Sequence, residues 1–313
     1  MNFYYLCAMS DFSVRFLGCG SATPSERHLP ACQVVSFRDK LFMIDCGEGA
    51  QLQFKRHHLK FSRIDHIFIS HLHGDHFLGL PGLLSTISMH EVEGTITVHA
   101  FREGLDILRQ ILNVFCPDRS FKLVYAPIDH KGGLLVDEKG ITVEAFPLYH
   151  RVPAVGFIFR EKPKPRKIIG DMVEYYKVPV FRRNALKQGA DYETPEGIVI
   201  ENKRLTLDPS PSTSYAYCSD TKFDLRVADA VRGIDTIYHE ATYLEDNKHL
   251  AGPRGHSTAA EAGEIATLAG AKRLILGHYS QKYNDDGPFA AEAATTFAGE
   301  IIAAREGLKV DLT

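Results

Sequence analysis

Short apolar runs bounded by glycine, proline and small polar residues recur along this chain, and their β-branched and aromatic content predicts buried strands. The first of these fall at 14–18, 33–37, 41–44 and 64–69. Residues 51–61 read as a helix between them. Phe77-Leu78-Gly79-Leu80-Pro81-Gly82-Leu83-Leu84 reads as the entry to another, with Pro81 suited to a first turn, where its missing amide hydrogen costs nothing. From residue 95 strand and helix alternate, with a strand at 95–100, a helix at 103–115 and a strand at 121–125. Strands at 133–136 and 141–147, joined by the turn Lys139-Gly140, lead to one at 155–159. After an interruption the pattern resumes with a strand at 214–218, a helix at 225–231, a strand at 236–238, a helix at 259–269 and a strand at 273–276. This order predicts the α/β class.

The interruption at 160–212 has a composition of its own. Glu161-Lys162-Pro163-Lys164-Pro165-Arg166-Lys167 is basic and broken by proline, Arg182, Arg183 and Lys187 continue the charge, and Pro209-Ser210-Pro211-Ser212 closes the stretch. It holds too few apolar residues to bury a core of its own, so the expectation is a single domain spanning 1–313 with an inserted basic arm at about 160–212. At 44% hydrophobic and 24% charged, the whole chain has the balance of a soluble globular protein. A formal net charge of -3 supplies no global basic field, so a nucleic-acid partner needs a local patch. Cys7, Cys19, Cys32, Cys46, Cys116 and Cys218 show neither close pairing nor a C-x-x-C spacing, which points to reduced thiols and a cytoplasmic location. No apolar run approaches the roughly 20 residues needed to span a bilayer. Residues 1–9 lack the length and the basic start of a secretory signal.

Candidate chemistry gathers where the strand at 64–69 ends. His71, His73, Asp75 and His76 crowd into the loop that follows, and two histidines spaced by two can point the same way from extended backbone. Gly74 then lets the chain turn back toward the same point. Nitrogen and carboxylate donors at this density suit a zinc-type divalent ion, and they exceed what one tetrahedral ion needs. A solvated histidine-rich loop is the competing reading, but nothing structural requires four such groups behind a buried strand. In strand–helix alternations, ligands collect at the carboxyl ends of strands. His150, Asp220 and His278 each follow a predicted strand, as do Asp45, His239 and Glu240. Gly18-Cys19-Gly20 resembles the start of a dinucleotide fingerprint but lacks the third glycine and the helix, so it is set aside.

With these residues assembled, the chain resembles the metallo-β-lactamase superfamily through the H-x-H-x-D-H run His71, His73, Asp75, His76. More specifically it is similar to the ribonuclease Z family, the endonucleases that trim the 3′ trailer from precursor transfer RNA. The matching blocks are Ile44-Asp45-Cys46-Gly47-Glu48-Gly49, Gly79-Leu80-Pro81-Gly82-Leu83-Leu84, Pro147-Leu148-Tyr149-His150-Arg151-Val152-Pro153-Ala154 and Tyr217-Cys218-Ser219-Asp220-Thr221. His239-Glu240-Ala241-Thr242, His256-Ser257-Thr258 and His278-Tyr279-Ser280-Gln281-Lys282-Tyr283 complete them, in family order.

The resemblance implies an αββα sandwich, two mixed sheets packed face to face with helices outside. It also implies two zinc ions, one held by His71, His73 and His150, the other by Asp75, His76 and His278, with Asp220 bridging. Such a pair shares a hydroxide at neutral pH and stabilises the attacking and leaving oxygens of a phosphodiester displacement. Asp75 would orient that hydroxide or take up its proton. His256, supported by Glu240, is the implied acid for the leaving oxygen. Asp45 is expected to brace a ligand imidazole from behind.

Family members of bacterial type carry a longer arm with a Gly-Pro pair near its tip. Here Val178-Pro179-Val180-Phe181 lacks that pair, so the arm is altered. Its charges still fit phosphate contacts, with Lys162, Lys164, Arg166, Lys167, Arg182 and Arg183 as candidates, and Lys282 near the phosphate path. A homodimer is also implied. Two other readings compete: a small-molecule phosphodiesterase or arylsulfatase-like hydrolase on the same di-zinc scaffold, and a non-catalytic nucleic-acid-binding module with a structural metal.

Overall fold

Strands that are apolar along their whole length must be covered on both faces, and two sheets back to back with helices outside provide that cover. The computed structural model describes residues 12–313; Cys7 and the segment read as lacking a secretory signal lie outside them. One seven-stranded sheet runs in the order Lys309–Asp311, Phe12–Gly18, Cys32–Phe37, Lys40–Ile44, Ile64–Phe68, Thr95–Ala100, Lys122–Pro127. The other runs Glu300–Ala303, Arg273–Gly277, Thr236–Glu240, Ser214–Cys218, Ala154–Glu161, Ile141–Leu148, Gly133–Glu138. In each, a parallel half joins an antiparallel half: Lys40–Ile44 through Lys122–Pro127 are parallel in the first, Ser214–Cys218 through Glu300–Ala303 in the second.

Alternation along the strands separates the layers. Phe42 and Ile44 face the other sheet, in a buried cluster with Phe68, Phe157, Phe159, Tyr215, Tyr217 and Tyr238. Their neighbours Leu41 and Met43 face the helices Gly79–Met89 and Arg102–Phe115, through Leu80, Leu83, Leu84, Leu105, Leu108 and Leu112. Ala216 and Ile237 do the same on the second sheet, against Val227 of helix Leu225–Ala230 and Ile265 of helix Ala259–Ala269. The expected four-layer sandwich is thus the observed fold.

Helix Ala259–Ala269 has the predicted span. Thr258 accepts from the amide of Glu261 and Glu261 returns a bond to the amide of Thr258, and Gly270 closes the far end in the left-handed region. The helix predicted at 51–61 stops at Arg56, because His58 takes a left-handed φ of 53° and a single 3-10 turn follows at Phe61–Arg63. Three elements lie beyond the end of the predicted pattern: helix Gly287–Ala293 and the strands Glu300–Ala303 and Lys309–Asp311. Both strands are short sheet edges, whose half-exposed residues carry little periodic signal.

The arm differs from expectation. It does bury a small core, formed by Val173, Val178, Leu186, Tyr192, Ile200 and Leu205. Two short ladders, Lys167–Ile168 with Thr206–Leu207 and Tyr192–Glu193 with Val199–Ile200, and the helices Gly170–Tyr175, Arg183–Lys187 and Asn202–Leu205 enclose it. The apolar residues are too scattered in sequence to register as a run, yet these turns bring them together. Among the described residues no helix is long and apolar enough to cross a membrane, and Cys19, Cys32, Cys46, Cys116 and Cys218 are free and buried.

Candidate metal centre

Carboxyl ends of neighbouring parallel strands open to one side of each sheet, and the two sheets present these ends together. Ile64–Phe68 delivers His71 and His73, and a four-residue helix, Gly74–Phe77, delivers Asp75 and His76. Gly74 opens this helix with a φ outside the left-handed region, and the helical turn it starts carries Asp75 and His76. Gly79 allows the next helix to seat: a Cβ there would stand 2.1 Å from the carbonyl oxygen of Gly47. That approach lets Cys46 and the loop exchange bonds, Cys46 N–H to His76 O at 2.8 Å and Gly79 N–H to Cys46 O at 2.9 Å. The second sheet delivers His150, Asp220, Glu240 and His278 from the ends of Ile141–Leu148, Ser214–Cys218, Thr236–Glu240 and Arg273–Gly277.

Two groups of donor atoms result. His71 Nε2 and His150 Nε2 each lie 3.2 Å from His73 Nδ1, and Asp220 Oδ2 lies 3.6 Å from His71 Nε2 and 3.8 Å from His150 Nε2. On the other side His76 Nε2 and His278 Nε2 are 3.3 Å apart, and each is 3.5 Å from Asp75 Oδ2. Asp220 Oδ1 lies 3.4 Å from His76 Nε2 and 3.2 Å from His278 Nε2. One carboxylate therefore faces both groups, an oxygen to each.

The far nitrogens of these rings decide what the near ones can be. His150 Nδ1 donates to Gly255 O at 2.7 Å, and Gly255, at φ 77°, has no room for a side chain because a Cβ would reach within 2.6 Å of that nitrogen. His76 Nδ1 donates to Asp45 Oδ2 at 2.8 Å. Thr242 Oγ1 donates to Glu240 Oε2 at 2.7 Å, so it accepts from His278 Nδ1 at 2.9 Å. A neutral imidazole whose far nitrogen donates presents a lone pair from the near one. The near nitrogens of His76, His150 and His278 and the Asp75 and Asp220 oxygens are then acceptors that face one another across short distances. Asp220 Oδ1 is buried and lacks any hydrogen-bond partner among the described residues. Burial disfavours charge on His76, yet the carboxylates of Asp220, Asp45 and Asp75 outweigh it and raise its pKa. Convergent lone pairs with surplus negative charge fit divalent cations, and the His/Asp donor set is the one such ions take.

Behind the donors lies a brace that joins the sheets. Asp45, at a left-handed φ of 55°, accepts from Ser70 N–H at 2.8 Å and Ser70 Oγ at 2.9 Å from its own sheet. From the facing sheet it accepts the Tyr217 hydroxyl at 2.6 Å. Its place behind His76 is the expected one; Tyr217 is a residue that the sequence did not single out. Asp75 Oδ2 is likewise held by the amide of Ala22 at 2.8 Å, in a loop tied down by Gln281. Nothing local in the sequence announces this contact.

His256 lies beside the donors, its ring 5.1 Å from that of His150 and 5.6 Å from that of His278. Its Nδ1 donates to Glu240 Oε1 at 2.9 Å. Glu240, fully buried, also accepts from the amides of Thr221, Thr242 and Ser257. Burial lowers the His256 pKa, but Glu240 and Asp220 more than reverse this and push it up to about 9.

The arm cations are less free than their number promises. Lys162 pairs with Asp137, Lys164 with Glu161 at 2.9 Å and Arg166 with Asp208. Lys167 reaches Ser210, Lys282 reaches Asn247, and Arg182 lies over the exposed ring of Phe181. Arg183 and Lys187 line an open depression beside Phe181.

A family model described as anti-Pycsar protein Apyc1 matches residues 12–107. A ribonuclease Z of Bacteroides fragilis (strain YCH46) is 45% identical over 305 residues, 97% of this chain and 100% of the relative. One of Porphyromonas gingivalis (strain ATCC BAA-308 / W83) is 46% identical over 306 residues, again 97% and 100%. Among solved structures, human tRNase Z, short form, superposes with a TM-score of 0.68 at 26% identity, covering 96% of this chain and 99% of the other. The metallo-β-lactamase fold protein YhfI of Bacillus subtilis gives 0.67 at 18% identity, covering 96% and 99%.

Proposed function

The chain belongs to the ribonuclease Z family, and from that premise we propose that it removes the 3′ trailer of precursor transfer RNA with two zinc ions, leaving a 3′-hydroxyl on the transfer RNA. It is a hydrolase, an endoribonuclease that acts on tRNA. The observation that carries the reading is Asp220, which turns one oxygen to each of two groups of imidazole nitrogens. His71, His73 and His150 would hold one ion, Asp75, His76 and His278 the other, and Asp220 both. Bound there, divalent cations lower the pKa of water toward neutrality and offset charge on the attacking and leaving oxygens.

The remaining work falls to the chain's own groups. Asp75 orients the attacking water. His256 donates a proton to the departing nucleotide oxygen from Nε2, the nitrogen left free by Glu240, and Glu240 keeps it protonated until then. The arm at 160–212 belongs to the same single domain and supplies phosphate contacts, and the enzyme works as a homodimer in the cytoplasm, where its buried thiols stay reduced.

Zinc-loaded protein incubated with a precursor transfer RNA, with product ends mapped, tests this reading. A cut at the 3′ end of the mature sequence is expected, abolished by His76→Ala or Asp220→Ala while RNA binding survives. Hydrolysis of a small diester with no cut in the precursor would replace the reading with that of a small-molecule phosphodiesterase.

A further inference from the structure

A cavity of about 460 Å³ opens over the donor groups. Its lining holds the carboxyl groups of Glu48, Asp75 and Asp220 and a single arginine, Arg151, with no lysine. Arginine remains charged at any pH the enzyme meets, and its planar fork matches phosphate oxygens in pairs. Arg151 is exposed, and among the described residues its guanidinium has no hydrogen-bond or ion-pair partner. Other arginines near the site are engaged: Arg27 with Asp286 and the Tyr283 carbonyl, Arg226 with Asp224, Arg254 with the Tyr243 hydroxyl. The backbone of Arg151 is placed by its neighbour, since His150 is anchored on Gly255, where a Cβ would come within 3.2 Å of the Arg151 amide nitrogen. Arg151 lines the cavity together with His73 and His256.

An RNA strand carries an anionic link at every nucleotide, so one that lies across the cavity brings a phosphate to each side of the one being cut. We propose that Arg151 binds the phosphate adjacent to the scissile one and so sets which link lies over the donor groups. This rests on the reading of the substrate as RNA. Arg151 is a substrate-binding residue in this scheme and takes no part in the bond changes.

Kinetics of Arg151→Ala and Arg151→Lys on precursor transfer RNA test it. Expected for the alanine variant is a fall in kcat/KM of about 10- to 100-fold, carried mostly by KM, with partial recovery in the lysine variant and unchanged zinc content. The slope of log(kcat/KM) against log[salt] should flatten by about 0.7 to 0.9, the contribution of one phosphate. Precursors with a neutral methylphosphonate link one step to either side of the cut locate that phosphate. At one of the two positions the modification should slow the wild type about as much as the Arg151→Ala change does, and should not slow Arg151→Ala further. Independent, multiplying losses at both positions, or wild-type kinetics in Arg151→Ala, would overturn the assignment. Failure of the wild type to cut the unmodified precursor would instead sink the substrate reading itself.

Discussion

Ionisable side chains at this site are useful because other residues have removed their freedom. His256 alone would titrate near 6.5; Glu240, itself held by three amides and a threonine hydroxyl, moves it up to about 9. His256→Gln keeps much of the shape and loses the proton. It should lower kcat on precursor transfer RNA by about 10²- to 10⁴-fold with zinc content unchanged, as measured by single-turnover cleavage and metal analysis. Tyr217 makes a parallel point one layer back, because its hydroxyl supports Asp45, which supports His76. Tyr217→Phe leaves the packing and deletes that donor, so zinc affinity should drop by about 10- to 100-fold in chelator competition. Equal dissociation constants for variant and wild type would confine Tyr217 to packing between the sheets.

Among the elements, the arm most changes the picture drawn from sequence. Its small core makes it a folded appendage, and its charges divide into two kinds. Lys162, Lys164 and Arg166 are tied to acidic partners, whereas among the described residues Arg182, Arg183 and Lys187 have no such pairing, and they stand beside exposed Phe181 and Val180. Reversing Arg182, Arg183 and Lys187 together should therefore weaken RNA binding and flatten its salt dependence by about 2 on the log–log slope. Reversing Lys164 and Arg166 should flatten it much less and loosen the arm instead. Fluorescence anisotropy across a salt series separates the two sets, and equal slopes would remove this division.

At the scale of the whole molecule, the loop after the first described strand is tied to the segment 286–306. His28 lies between Glu306 and Asp286, with Nδ1 3.1 Å from the first and Nε2 3.0 Å from the second. Burial lowers the His28 pKa, but these carboxylates outweigh it and leave it above 6.5. Glu306 is depressed below 4.5 by His28 against the opposing effect of burial. A raised histidine stabilises fully below its unfolded pKa and loses that contribution as pH rises through the folded one. A depressed carboxylate stabilises above its unfolded pKa and loses that contribution as pH falls. The tie is therefore at full strength between about pH 4.5 and 6.5. His28→Gln should cost about 1–2 kcal/mol near pH 5.5 and progressively less toward pH 9. Thermal melts in chelator throughout, so that metal occupancy does not vary with pH, would show this; a difference that grows with pH would contradict it.

What the sequence determined by itself was the family, the sandwich and the positions of the candidate donors. Strand runs and the residues just past their ends are local features, so His71, His73, Asp75, His76, His150, Asp220 and His278 could be named before any fold was in view. The pairing of Glu240 with His256 was legible through the family resemblance carried by their blocks. Tertiary structure alone decided the rest: which oxygen of Asp220 faces which group, that Tyr217 reaches Asp45, that Ala22 holds Asp75, that the arm has a core, and that Arg151 stands unpaired in the cavity. The physical reason is common to all five. Periodicity reports on neighbours within a few residues, whereas these contacts depend on how two sheets, a loop and an arm meet across long stretches of chain.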